Sequence, residues 1–254
     1  MKKEMKNNFF SVMVIGENPE QIMEEFNLSL KVPKYLKYKI EDAHTLRKNA
    51  ILTTEKFIDE MMDNPTVLEY LHTYLSDIKD MTDIEFFAFL TKDLEYDEEG
   101  NAWDTLNPNG KWVSYQLGKN NSIPLIKHNG EEVFQCKKGE VDWKKMHLHH
   151  TAIYKRTWEM IVENQEPKHD ADKIMQGLMA DKKDYLLNFK NKDNYIKYNS
   201  SYWNYAVIKN NVWNDADNKP SFEWVVNFYT TFVEPLDDNE LITIYEYQIE
   251  NAND

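Results

Sequence analysis

The sequence of 254 residues has a single cysteine, Cys136, so no internal disulfide can staple the chain. One cysteine also excludes zinc sites built from several thiolates, and it suits a reducing compartment. No apolar run approaches the ~18–20 residues that a spanning helix needs. The start, MKKEMKNNFFSVMVIGENPE, joins lysines to a short apolar stretch. No small-residue cleavage site follows it, so the stretch reads as a first β-strand rather than a secretory leader. There is no G-x-S-x-G elbow, no Walker loop and no G-x-G-x-x-G turn. Their absence removes the local signatures of α/β-hydrolases, P-loop NTPases and dinucleotide-binding enzymes. Neither an internal repeat nor a low-complexity linker divides the chain.

Positive charge is also scarce. Thirty Lys and Arg face 44 Asp and Glu, a formal net charge of −14. The excess is uneven: residues 51–104 carry three basic and fifteen acidic side chains, and residues 201–254 carry two and ten. Such surfaces repel phosphate backbones, which argues against direct duplex DNA binding. The same field attracts a basic partner, and it also serves plain solubility.

Hydrophobic residues make up 41% and aromatics 13%, enough for a folded globule. NFFSVMVIG (8–16) reads as a buried strand, followed by a short helix with Asn18 as cap and Pro19 in its first turn. Residues 36–63 read as helix. DNPTVLEYLHTYLSDI (63–78) restarts one with Asn64 as cap, and 81–94 adds another with Thr82 and Glu85 as a capping box. Residues 96–112 are loop-like and 111–118 read as a strand. Residues 122–139 read as a hairpin about Asn129-Gly130. Helices are expected over 140–165, capped by Asp142, and over 170–190. Residues 198–215 carry a strand signature with a turn at Asn210-Asn211. A helix over 221–236 and a terminal strand over 239–250 close the chain. This order predicts one α+β domain over 1–254. Its plan is a ferredoxin-like βαββαβ antiparallel sheet, with the two terminal strands paired near its middle and residues 36–94 inserted as helices.

Few residues are grouped as catalysis would require. MHLHHTAIYKR (146–156) puts His147 and His150 on one helical face at i, i+3, with His149 turned away. A helical metal pair usually stands at i, i+4, and the nearest further ligands are His169, Asp170 and Asp172. A solvated or half-buried helix face is the favoured reading, so no metal and no cofactor is assigned. Lys137 and Lys138 beside Cys136 could lower its pKa, yet a strand cysteine is usually inert. Asp97, Glu98, Glu99 and Asp104 fit no EF-hand spacing and read as a solvated loop. Among the many aromatics, Trp112, Tyr115, Trp203 and Trp213 are the candidates for stacking on a ligand, although core packing is the commoner use.

Four stretches of the chain resemble a family. FFSVMVIGENPEQIMEEF (9–26) opens it, YDEEGNAWDTLNPNGKWVSYQLG (96–118) lies centrally, and GEVDWKKM (139–146) and LDDNELITIYEYQI (236–249) follow. Together they resemble a family of uncharacterised tailed-phage proteins with motifs like VIGENPEEQ, YNPNSKWDWYxIGGRW, KGDIDW and LLTVVDCHI. This chain departs at two places. Leu117-Gly118-Lys119-Asn120-Asn121 stands where the family has IGGRW, and Glu246-Tyr247-Gln248 where it has DCH. A polar site built from those family residues would be altered or lost here.

The resemblance implies a phage accessory protein acting in the host cytoplasm, a class that often binds host machinery, defence systems included. With the acidic segment, it predicts a non-enzymatic inhibitor of a host defence protein with a basic surface, a CRISPR effector among the candidates. The expected contact residues are Glu55, Asp59, Glu60, Asp63, Glu69, Asp77, Asp80 and Asp83, since charge complementarity speeds association and selects partners. The rival expectations are a nucleotide or small-molecule sponge using the four stacking aromatics, and a metal-dependent hydrolase using His147 and His150.

Overall fold

The structure, a computed structural model, describes residues 9–60, 65–119, 122–148, 151–168, 182–217, 219 and 221–249. Asp63, Asn64, Asn120, Asn121, His149, His150, His169, Asp170, Asp172 and the first part of the 170–190 helix lie outside the described residues. The chain forms two compact units: one runs to Leu30 and resumes at Asn109, and the other is Lys31–Pro108. The architecture is α+β.

The first unit is organised by a mixed sheet. Strand β1 (Phe9–Ile15) pairs antiparallel with β11 (Leu241–Gln248), from Phe9↔Gln248 to Ile15↔Ile242. The two terminal strands therefore meet mid-sheet, as expected. On the other side of β1 lies β9 (Ala206–Lys209), and it runs parallel. β10 (Val212–Asp215) folds back on β9 through Asn210 and Asn211, whose φ values of 52° and 58° are those of a tight hairpin turn that asparagine tolerates. A βαββαβ plan built on this hairpin would set β1 beside its second strand. β1 lies beside the first, so the ferredoxin-like antiparallel expectation is corrected to a mixed sheet of order β10-β9-β1-β11.

The outer edge of β11 is shared by two segments. β5 (Ser114–Leu117) pairs with Tyr245–Gln248, and β8 (Gln135–Lys137) pairs with Leu241–Thr243. Between them the chain leaves and returns opposite one residue. Gly118 N–H donates to the Ile244 carbonyl at 2.8 Å, and Ile244 N–H donates to the Phe134 carbonyl at 2.7 Å. A Cβ on Gly118 would lie 2.4 Å from Phe134 Cδ1, so only glycine lets the ends of the excursion close. The excursion carries the expected hairpin about Asn129-Gly130 as β6 (Leu125–Ile126) and β7 (Glu132–Val133).

Both faces of the sheet are covered. α1 (Pro19–Glu24) seals one face with Met23, beside Phe26, Trp112, Tyr245 and Tyr247. α5 (Trp143–Leu148) and α9 (Ser221–Phe228) close the other over Met13, Ile242 and Ile244. This explains why β11 buries every residue from Ile242 to Tyr247 despite its alternating sequence. α6 (Thr151–Ile161), α7 (Lys182–Phe189) and α8 (Lys192–Ser200) carry a satellite core around Trp158 and Tyr195. Two local expectations change. Asn18 stands before α1 with φ 56° and makes no side-chain cap bond. The 221–236 helix passes into a π-turn at Tyr229–Val233.

The second unit joins three helices to a small sheet of order β2-β4-β3. Its elements are β2 (Lys31–Tyr38), α2 (Ala43–Glu60), α3 (Pro65–Asp80), α4 (Asp83–Leu90), β3 (Glu95–Tyr96) and β4 (Ala102–Leu106). Residues 36–38 are thus strand rather than helix, and the loop-like 96–112 holds β4. The pairing of β2 with β4, Lys31↔Leu106 to Tyr38↔Ala102, overrides the local pattern. α4 starts on the expected capping box. The Thr82 hydroxyl accepts from Glu85 N–H, and Thr82 N–H donates to Glu85 Oε2 at 2.8 Å.

Candidate functional site

The acidic second unit sorts its carboxylates into two groups. One group is tied down. Asp104 is 6% exposed and accepts from Lys37 Nζ at 2.8 Å and from the amides of Thr105 and Leu106 at 2.7 and 2.9 Å. Burial pushes its carboxyl up, but these donors outweigh burial and hold it below the usual range. Glu95 pairs with Lys34 and Glu55 with Lys79, both at 2.7 Å. Asp83 takes His44 at 3.0 Å and Arg47 at 3.3 Å, which together lower its pKa. Arg47 also donates to the carbonyls of Ile78 and Lys79, the last turn of α3, and so ties α2, α3 and α4 together. Asp97 folds its own turn: Trp103 Nε1, the amides of Glu99 and Asn101 and Asn101 Nδ2 all donate to it. Led by Trp103, these bonds bring its pKa down to about 2.

The second group faces water. Asp59, Glu69, Asp77 and Asp80 are exposed, and their side chains have no cationic or hydrogen-bonding partner among the described residues. Of the eight expected contact residues, then, four are open to solvent. Glu55 and Asp83 are engaged within the unit, while Asp63 and the Glu60 side chain lie outside the described residues. A groove of about 430 Å³ runs between α2 and α3, lined among others by Ala50, Thr53, Thr54, Phe57, Tyr70 and Tyr74. Phe57 and Tyr70 are 47% and 68% exposed, which is unusual for aromatics on helices that form part of a core. The sequence signal for this groove was Ala50, Thr53 and Thr54, small residues on the α2 stripe that faces Tyr70 and Tyr74.

A second groove in this unit, about 360 Å³, lies beside β2 and includes Lys31, Lys34, Lys37 and Trp103. Lys34 sits 5.9 Å from the Trp103 ring centre. Glu95 and Asp104 neutralise Lys34 and Lys37, so the groove is charge-balanced. Lysines and Pro33 on a sheet edge also serve to block strand-to-strand association.

The four stacking candidates form no common cage. Trp112 is buried, donates from Nε1 to the Met23 carbonyl at 3.1 Å, and meets Tyr115 edge-on at 4.6 Å. Trp213 packs on Phe26 and Tyr247 of the same core. Trp203 belongs to the opposite face of the sheet. These rings bind one another and the sheet, as core aromatics do.

The reactive candidates are quiet as well. Burial pushes the Cys136 thiol up to about 11, with Glu140 adding to it, so the neighbouring lysines do not activate the sulfur. His147 stands edge-on to Tyr229 at 4.4 Å with Nε2 buried and unpartnered, and burial lowers its pKa. Among the described residues no group of three His, Cys, Asp or Glu could hold a metal ion.

Glu246 of β11 and Lys119, two residues past the end of β5, are neighbours in space. Glu246 is 1% exposed in β11 and opposite Gln116 of β5. Its Oε2 accepts from Gln116 Nε2 at 3.0 Å, and its Oε1 accepts from Lys119 N–H at 3.1 Å. Glu246 therefore anchors the first amide of the excursion. The visible signal was a glutamate among tyrosines and isoleucines in a strand buried on both faces. No helix among the described residues is long and apolar enough to cross a membrane. The chain matches no protein-family model, no curated protein and no solved structure.

Proposed function

We propose that this chain is a non-enzymatic binding protein whose Lys31–Pro108 unit presents an acidic helical face to a basic surface on another macromolecule. One observation carries the reading: among the described residues, Asp59, Glu69, Asp77 and Asp80 stand unpaired on α2 and α3, while Asp83, Asp97 and Asp104 are held by cations or hydrogen-bond donors. Exposed carboxylates contribute little to a fold, so their concentration suits recognition and fast association. The tailed-phage resemblance supports a setting in the host cytoplasm and an inhibitor of host defence. A nucleic-acid groove such as that of a CRISPR effector offers the matching charge.

Affinity capture from host lysate at low ionic strength tests this. The wild-type chain is expected to retain a partner that elutes as salt rises, whereas a variant with all four carboxylates changed to lysine loses it with an unchanged melting temperature. Equal capture by both proteins overturns the proposal.

A further inference from the structure

We infer that the groove between α2 and α3 receives the apolar face of a basic amphipathic helix from the partner protein; this rests on the acidic-face reading above and names what that face recognises. The shape comes from side-chain size. α2 offers Ala50, Thr53 and Thr54 where a tightly packed helix pair would carry larger residues. Thr54 Oγ1 donates to the Ala50 carbonyl at 2.8 Å, so its hydroxyl is satisfied. With Leu71 in the lining too, the floor is mostly apolar, and Asn49 and Thr53 add its polar groups. Its walls are Phe57 on α2 and Tyr70 and Tyr74 on α3, the residue types that anchor interfaces by filling or forming pockets. The lining runs from Asn49 to Phe57 on α2 and from Tyr70 to Tyr74 on α3, about 12 Å at 1.5 Å per residue, room for about two turns of a bound helix.

Charge selects the occupant. Asp77 follows Tyr70 and Tyr74 on the same stripe of α3, at i+7 and i+3, and Glu69 and Asp80 stand on the next exposed stripe. On α2, Asp59 stands half a turn around from Ala50 and Phe57 and so faces away from the groove, which leaves the α3 carboxylates as its charged rim. Lysines or arginines flanking the apolar face of an incoming helix would meet these carboxylates, and an acidic helix would be repelled. A second copy of this chain would bring the same acidic face to a symmetric contact, which disfavours self-pairing.

Fluorescence anisotropy with two labelled probes separates the groove from the charge: an 18-residue Leu/Lys amphipathic helix and polylysine of equal length. The intact chain is expected to bind the Leu/Lys helix at least about tenfold more tightly than polylysine. A Phe57→Ser/Tyr70→Ser variant and a Thr53→Trp variant that fills the groove should each erase that difference and leave polylysine binding unchanged. All these sites are half-buried or exposed, and a melting scan checks that the fold persists. Equal affinity for the two probes, or a preference that survives both variants, overturns the groove and leaves the acidic-face reading standing. If neither probe binds, the acidic-face reading falls and the groove falls with it.

Discussion

The two units use their polar side chains in opposite ways. In the sheet of the first unit, β11 buries six of its eight residues, and the one carboxylate among them, Glu246, is held by Gln116 and the Lys119 amide. In the second unit, α2 and α3 together span 34 residues, yet among their described positions only Ala43, Thr54 and Ile78 are buried. The first unit rests on apolar burial from two sides. The second has a smaller core around Ala43, Phe87 and Ala102, adds caps, ion pairs and Arg47 to it, and leaves a charged, aromatic surface in water. The exposed face of α2 and α3 can therefore change with little effect on the core.

The sharpest test of the contrast is deletion of one large side chain from each unit. Phe228 is 1% exposed beneath the sheet, and Phe228→Ala should cost about 3–5 kcal/mol in urea unfolding. Phe57→Ala, which removes a half-exposed ring, should cost less than about 1 kcal/mol in the same measurement. Comparable losses would break the comparison, because α2 would then be core.

A smaller effect belongs to Asp104, the buried carboxylate of the second unit. Asp104→Asn should cost about 1–3 kcal/mol at neutral pH by removing the charged acceptor of Lys37. Its folded pKa is lowered, since the donors from Lys37, Leu106 and Thr105 outweigh the upward push of burial. Its contribution is therefore complete above the ordinary carboxylate pKa of ~4 and fades as pH falls through the lowered value. Denaturation at pH 7 and pH 3 should show the gap between wild type and variant narrowing in acid; a gap that widens contradicts the assignment. The smallest change is expected for Thr82→Ala, about 1 kcal/mol from the lost capping box, read as a drop in melting temperature.

How much of this was legible follows from how far apart in sequence the interacting residues lie. β1, β11, the Asn210-Asn211 turn and the Thr82–Glu85 box were readable, because a strand pattern, a left-handed turn pair and a cap are set within a few neighbours. The acidic character of 51–104 was readable too. Which carboxylates remain open was not. Lys37 and Asp104 are 67 positions apart, His44 and Asp83 39, and Lys79 and Glu55 24. The groove was likewise hidden, since small residues on one helix make a trough only when another helix packs beside them.

Composition and local pattern alone determined an α+β chain with strands at both ends, a negative surplus and no multi-thiolate chemistry. Only the folded chain decided that β1 runs parallel to β9, that β5 and β8 fill one strand position opposite Ile244, and that Glu246 is buried while Asp77 is bare. The physical reason is that turns and caps depend on neighbouring residues. Strand partners, ion pairs and cavities depend on residues that only chain closure brings within a few ångströms.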